Sequence, residues 1–288
     1  MRHGGKPACR SNFEPRLVVR ASRAAAQRNV GRTFPSLIHR RLRLTLGYRG
    51  TRYAGWATQS PSRTRGRPTV QATLEAALAS AVGHPVRVTA AGRTDAGVHA
   101  DAQVVSFETS SRIASDGLRR VVQRRLPEDV WIVDAADAAA DFDARRSALR
   151  RWYRYAICRD SSPPAVWQGR CLVDARPLSL DAMRTAARSL LGRHDFASFV
   201  TRPTVTRSTE RSVLAADWLE VSPALLLFEI CADAYLKKMV RGIVGSLLWV
   251  GDGHWTPEEF ATALARADRR AAGPNAPAAG LSLVRIEY

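Results

Sequence analysis

The residues with most to offer chemically lie in one short run, Gly92-Arg93-Thr94-Asp95-Ala96-Gly97-Val98-His99-Ala100. A guanidinium and a carboxylate stand two residues apart, and a histidine follows four residues after the carboxylate. Gly92 and Gly97 permit backbone geometry closed to other residues, so the run is expected to form a tight loop between two strands. Three readings are open to it. Asp95 with His99 would serve acid–base hydrolysis. Asp95 with an arginine would serve carboxylate chemistry on a nucleotide. The plainest reading is a hairpin loop whose Asp bonds its own backbone. No G-x-S-x-G elbow and no reactive Cys context accompanies the Asp–His pair, which counts against the hydrolase.

Two further runs carry candidate groups. From Ala234 to Val250 the residues Leu236, Met239, Val240, Ile243, Val244, Leu247 and Leu248 recur at helical spacing. Lys238, Arg241 and Gly245 fall on the opposite side, which reads either as a solvated basic face or as a surface meeting something. Gly242 and Gly245 speak for close approach, since glycine costs about 1 kcal/mol in a helix interior. Arg150-Arg151-Trp152-Tyr153-Arg154-Tyr155 alternates arginine with aromatics. On a strand this pattern suits stacking on bases beside phosphate contacts. It equally suits a strand with Tyr in the core and Arg in water.

The elements that must position these groups follow from periodicity and punctuation. Leu42, Leu44, Leu46 and Tyr48 alternate with polar residues and predict a half-buried strand. Thr69 caps a helix ended by Gly83. Val86–Ala90 and Gln103–Glu108 read as strands on either side of the loop, Ser115–Leu126 as a helix and Val130–Ala135 as a strand. The second half offers a strand at Trp152–Cys158, a helix at Leu180–Leu191 with Ser179 as N-cap and Gly192 as stop, and strands at Ser212–Val221 and Leu225–Ala232. Thr256-Pro257-Glu258-Glu259 is a capping box opening another helix, and Leu281–Tyr288 reads as a strand. The expected fold class is α+β, with two ferredoxin-like or RRM-like units whose mostly antiparallel sheets join around a central cleft. The expected division is a basic extension at 1–41, a unit at 42–142 carrying the loop, and a unit at 143–288.

Composition narrows the function. The 288 residues include 44 Lys and Arg against 26 Asp and Glu, a formal net charge of +18. Half of that excess sits in residues 1–41, where Glu14 is the only acid. The rest is still basic enough to point to an anionic partner, nucleic acid above all. No apolar run is long enough to span a bilayer, which argues against an integral membrane protein. Cys9, Cys158, Cys171 and Cys231 show neither C-x-x-C nor zinc-ligand spacing, so reduced thiols and no structural metal are expected. Residues 1–41 lack the apolar stretch of a secretory signal. They fit a transit peptide, an upstream misassigned start or a basic arm alike, and the expected location is the cytoplasm or, with a transit peptide, an organelle.

The loop and five collinear segments resemble the tRNA pseudouridine synthase A family. GRTDAGVHA at Gly92–Ala100 is the strongest of them, joined by Gly55-Trp56-Ala57-Thr58-Gln59. Phe142-Asp143-Ala144-Arg145 with Ser147-Ala148, Arg151–Tyr155, Met239-Val240-Arg241 with Ile243-Val244-Gly245, and Gly280-Leu281 follow in order. The resemblance covers about 42–288. It implies isomerisation of uridine to pseudouridine at positions 38 to 40 of the tRNA anticodon stem-loop, by a homodimer and without a cofactor. It implies Asp95 as the catalytic residue, Arg93 as the group that flips and holds the RNA, Tyr153 against the target base, and Arg241 paired with the carboxylate. The chain departs from the family pattern at Asp143, where His is usual, and at Arg146, where an aromatic is usual. It departs again at Lys237 and Lys238, and in the longer loop Ser60–Pro68. These positions are expected to flank the cleft or to touch RNA.

Overall fold

The computed structural model describes residues 39–201 and 208–288. Most of the extension expected at 1–41 lies outside them, but Arg40 and Arg41 do not: both already belong to the first strand. In chain order the first half contains β1 (Arg40–Tyr48), α1 (Pro61–Thr64), α2 (Val70–Val82), β2 (Thr89–Ala90), β3 (His99–Thr109), α3 (Ser115–Gln123) and β4 (Val130–Ala138). The second half contains β5 (Arg150–Cys158), β6 (Leu172–Val173), α4 (Leu180–Arg188), β7 (Gly192–Asp195), β8 (Glu210–Ser222), β9 (Leu225–Ala232), α5 (Met239–Gly251), α6 (Pro257–Ala265) and β10 (Leu281–Glu287).

The fold is α+β, as the periodicity predicts. Both halves share one sheet, in the order β4-β1-β3-β10-β5-β9-β8-β7, with β2 on β3 and β6 on β5. Pairing is antiparallel except for β6 on β5 and for a short parallel contact in which Ser282 and Leu283 of β10 face His99 and Ala100 of β3. β10 is therefore the strand that joins the two halves. Cross-strand rows build the core. Leu283, Tyr153 and Ile230 stand opposite one another, and the next row is Leu281, Tyr155, Phe228 and Trp218, all buried. Each large apolar side chain so buried contributes roughly 1.5–3 kcal/mol. α2 and α3 cover the first half of the sheet; α4, α5 and α6 pack together on the second, with α4 against β8.

Local chemistry sets most element ends where it was expected to. Thr69 Oγ1 accepts from Ala72 N–H at 3.3 Å, and the capping box of Thr256 and Glu259 is fully formed. Three expectations fail. The strand expected at Val86–Ala90 shrinks to two residues, because Glu75 takes up the Val88 N–H (3.1 Å) and holds the chain off the ladder. α4 ends at Arg188, so Gly192 is not its stop but the first residue of β7. The helix expected from Ala234 begins only at Met239. Asp233 accepts from the Ser212 and Ala234 N–H groups, and Lys238 adopts a left-handed conformation (φ 63°) that no continuing helix allows. That helix has no solvated basic face either: Gly242 lies against Phe199 and Gly245 against Pro274, both buried.

Candidate active site

The Gly92–Val98 loop is fixed from behind by residues far from it in sequence. Gln103 of β3, fully buried, donates through Nε2 to the Gly92 carbonyl at 2.7 Å. Thr94 Oγ1 and the buried Tyr48 hydroxyl are 2.8 Å apart and share a hydrogen bond. The Thr94 carbonyl accepts from Trp56 N–H at 3.0 Å, and the Asp95 carbonyl from Val98 N–H at 3.1 Å. Gly55 makes the approach of the Trp56 segment possible: its φ is +98°, and a Cβ there would stand 2.8 Å from the Thr94 carbonyl oxygen. These contacts satisfy the carbonyls of Gly92, Thr94 and Asp95.

The Asp95 side chain is consequently free of that task. Six other aspartates in turns, Asp143, Asp160, Asp174, Asp195, Asp252 and Asp268, each accept a hydrogen bond from the N–H two residues on. Asp95 does not; among the described residues its carboxylate meets one partner, Arg241 Nη1 at 4.0 Å. The reading of Asp95 as a turn residue bonding its own backbone is thereby overturned. The pair keeps contact with solvent, 28% of the Asp95 side chain and 16% of Arg241 remaining exposed.

Arg241 sits in the first turn of α5 and is aimed by segment 274–280. Its Nε donates to the Ala276 carbonyl at 2.7 Å, and Ala276 N–H returns a bond to the Arg241 carbonyl at 2.9 Å. A Cβ on Gly245 would lie 1.8 Å from the Pro274 oxygen, so only glycine lets this segment reach the helix. The same segment touches the loop, with Ala278 Cβ 3.2 Å from where a Gly97 Cβ would be, and it accepts at Pro277 O from the Tyr155 hydroxyl.

Tyr153 lies on the core face of β5, edge-on to Tyr235 with ring centroids 4.9 Å apart. Its hydroxyl would lie 3.9 Å from a Cβ on Gly92, beside the loop. Burial first, then the nearby Tyr48 and Asp95, push its ionisation far above the ordinary phenol range, so it stays neutral. Tyr48 behind the loop is pushed up to about 12, also chiefly by burial. Arg93 is exposed and makes no hydrogen bond or ion pair among the described residues. Asp95, Tyr153 and Arg241 thus meet, with Arg93 standing free at their edge.

His99 does not join them. It is wholly buried at the start of β3, where Nδ1 accepts from Gly50 N–H at 3.2 Å. Burial, followed by the charge of Arg170, pushes its pKa down to about 4. The Asp95–His99 pair of the hydrolase reading is not formed. The Arg-aromatic strand is likewise more structural than its pattern proposes: Arg154 pairs with Glu229 at 2.6 Å, and Trp152 packs under Arg285 and donates to Glu287. Asp143 and its neighbours form a turn in which the carboxylate accepts from both Arg145 and Arg146 N–H. Among the described residues no three His, Cys, Asp or Glu side chains gather as metal ligands. Cys158, Cys171 and Cys231 are free thiols, all buried. No helix of the described residues is long and apolar enough to cross a membrane.

Comparison with known proteins decides the family. The family model described as tRNA pseudouridine synthase matches residues 46–145 and 186–288. This chain belongs to the tRNA pseudouridine synthase family. A tRNA pseudouridine synthase A from Moorella thermoacetica is 40% identical over 247 residues, 86% of this chain and 99% of that one. One from Syntrophomonas wolfei is 38% identical over 248 residues, 86% of this chain and 97% of that one. One from a Methylobacterium species is 42% identical over 251, again 86% and 97%. A solved Cbf5-Nop10-Gar1 complex aligns at 12% identity with a TM-score of 0.33, over 84% of this chain and 48% of that one. As a member of the synthase family this chain is an isomerase with the pseudouridine synthase fold. Two groups that hold the loop were not evident beforehand as such: Tyr48 and Gln103. Gln103 alone left a signal, a polar residue at a core-facing position of β3 opposite Leu46.

Proposed function

We propose that this synthase converts uridine to pseudouridine at positions 38 to 40 of the tRNA anticodon stem-loop, with Asp95 as the reacting carboxylate. The observation that carries the reading is the unspent Asp95 side chain, held on a rigid loop with Arg241 as its partner. The target uracil is stacked in RNA and has to be extruded, at a cost of a few kcal/mol. Arg93, exposed and unpaired among the described residues, takes the role of flipping and holding the RNA in this reading. Tyr153 offers a neutral ring beside the loop for the extruded base.

The reaction breaks the bond between N1 and C1′, turns the ring and joins C5 to C1′. The C5 proton leaves and N1 takes one up, so the sum is an isomerisation with no redox change. Attack by the carboxylate and proton removal by it both need an Asp95 oxygen free to reach the substrate. Arg241 holds the carboxylate from one side and leaves its exposed face to the RNA. Further cations without an ion pair among the described residues, Arg63, Arg65, Arg67, Lys237 and Lys238, suit the phosphate backbone. The reading includes a homodimer. β8 exposes Leu214, Leu219 and Val221, which offer apolar surface to a second copy.

Tritium release from tRNA labelled at uridine C5 tests the chemistry, because C5 loses its hydrogen only on becoming the glycosidic carbon. Wild type is expected to release tritium, and Asp95→Asn to release none while binding tRNA within about tenfold of wild type. Turnover retained in Asp95→Asn would sink the carboxylate's role. No release by wild type, with tRNA still bound, would leave an RNA-binding protein of this fold.

A further inference from the structure

We propose that Arg151 is a positioning residue for this reaction: its guanidinium fixes the Asp95 loop against the segment that leads to Arg241. The proposal rests on the isomerase reading above. Arg151 lies on β5, two residues before Tyr153. Its Nε and Nη2 donate to the Ala91 carbonyl at 3.2 and 3.1 Å, immediately before the loop. Nη2 also donates to the Arg145 carbonyl at 2.8 Å. Nη1 donates to the carbonyls of Ala148 (3.1 Å) and Asp233 (2.6 Å). Asp233 opens the linker that turns at Lys238 into α5. The same stretch meets Arg151 a second time, the Tyr235 hydroxyl lying 3.2 Å from the Arg151 carbonyl and 2.9 Å from that of Ile230.

One side chain therefore joins the loop of the first half, the Asp143–Ser147 turn and the approach to α5. No carboxylate pairs with it among the described residues, whereas Arg154 and Arg170 each have one and Arg176 has two. Burial works against its charge, yet arginine stays protonated. A planar fork reaches carbonyls in several directions at once, and a compact ammonium on a flexible stem does not. The observed arrangement forgoes a stabilising counter-charge in favour of geometry. What the geometry sets is the separation of Asp95 from Arg241, and a misplacement of about 1 Å at such a site costs roughly 100-fold in rate.

The test uses the full chain with Arg151→Lys and Arg151→Met and C5-labelled tRNA. Both variants are expected to lower kcat about 100-fold while KM for tRNA stays within about threefold, and lysine is expected not to rescue. Amide hydrogen exchange is expected to quicken at 94–98 and to stay unchanged in the β8–β9 hairpin. A kcat close to wild type overturns the proposal. So does a rise in KM at constant kcat, which would mark a phosphate contact, and so does exchange quickened equally in both regions. Failure of both variants to fold would make Arg151 a stabiliser of the whole sheet and overturn its local role. If wild type itself releases no tritium, the isomerase reading fails, and the exchange comparison still judges whether Arg151 holds the loop.

Discussion

At Asp143 the turn is held by the aspartate itself. Its Oδ1 accepts from the N–H groups of Arg145 at 2.9 Å and Arg146 at 2.8 Å, while its own N–H donates to Ser147 Oγ at 3.2 Å. At Asp95 the corresponding work is done from outside, by Gln103, Tyr48 and Trp56 reaching in from β3, β1 and the segment after β1. Both bends are held by hydrogen bonds from side chains or from neighbouring backbone. The difference is what remains for the carboxylate. At 143 it has become part of the scaffold; at 95 it remains a reagent. A turn keeps a reactive aspartate only when other side chains relieve it of holding the turn.

The contrast can be broken at several points. The largest effect is expected from Arg241→Met, which removes the one partner Asp95 has among the described residues: tritium release should fall about 100-fold. A loss of less than threefold would show that the 4.0 Å pair is idle. Gly245→Ala forces a Cβ to 1.8 Å from the Pro274 oxygen, so the segment holding Arg241 must move. Overpacking of this kind costs about 2 kcal/mol, and denaturant midpoints should show it together with a fall in rate.

His99, the post behind the loop exit, gives a pH signature. Its folded pKa near 4 lies below the value of about 6.5 expected of the unfolded chain. Between those values the unfolded chain binds the proton more readily, so stability is lost as pH falls from about 6.5 towards 4, at up to about 1.4 kcal/mol per pH unit. Melting curves of His99→Asn over the same range should be flatter than those of wild type. Equal slopes would mean that the ring is not held neutral. The smallest effect sharpens the comparison: Asp143→Ala should cost about 1 kcal/mol of stability and leave turnover within about tenfold, the reverse of Asp95→Asn.

Much of this was legible in the sequence, and the division is physical. Thr69, Ser179 and Thr256 act on amides two or three residues away, so their caps can be read from neighbours alone. The run Leu225–Ala232 is the observed strand without adjustment, because its apolar pattern and the turn before it are both local. Asp95 was visible because glycines and charges crowd one short run. The start of α5 was not. Leu236 has helical spacing with the residues that follow, but Asp233 and Lys238 impose a bend through bonds to Ser212 and a left-handed φ. Nor could spacing show that Arg241 leans on Ala276, or that Arg151 reaches Ala91 and Asp233, 60 and 82 residues away. Those contacts exist only once the sheet has brought its strands together.

β10 gives that dependence a direction in time. It lies between β3 and β5 in the sheet, yet it is made after every other strand. A chain not yet extended through β10 carries two half-sheets whose facing edges, β3 and β5, are paired only in part, by β2 and β6. Its Asp95 loop does not yet have Ser282 and Leu283 beside its exit at His99 and Ala100. Contacts of such long sequence separation form slowly, and open edges invite pairing with other chains until they close. A chain that lacks β10 already has the basic residues that attract RNA, yet it does not have the strand that pairs with His99 and Ala100 at the exit of the Asp95 loop.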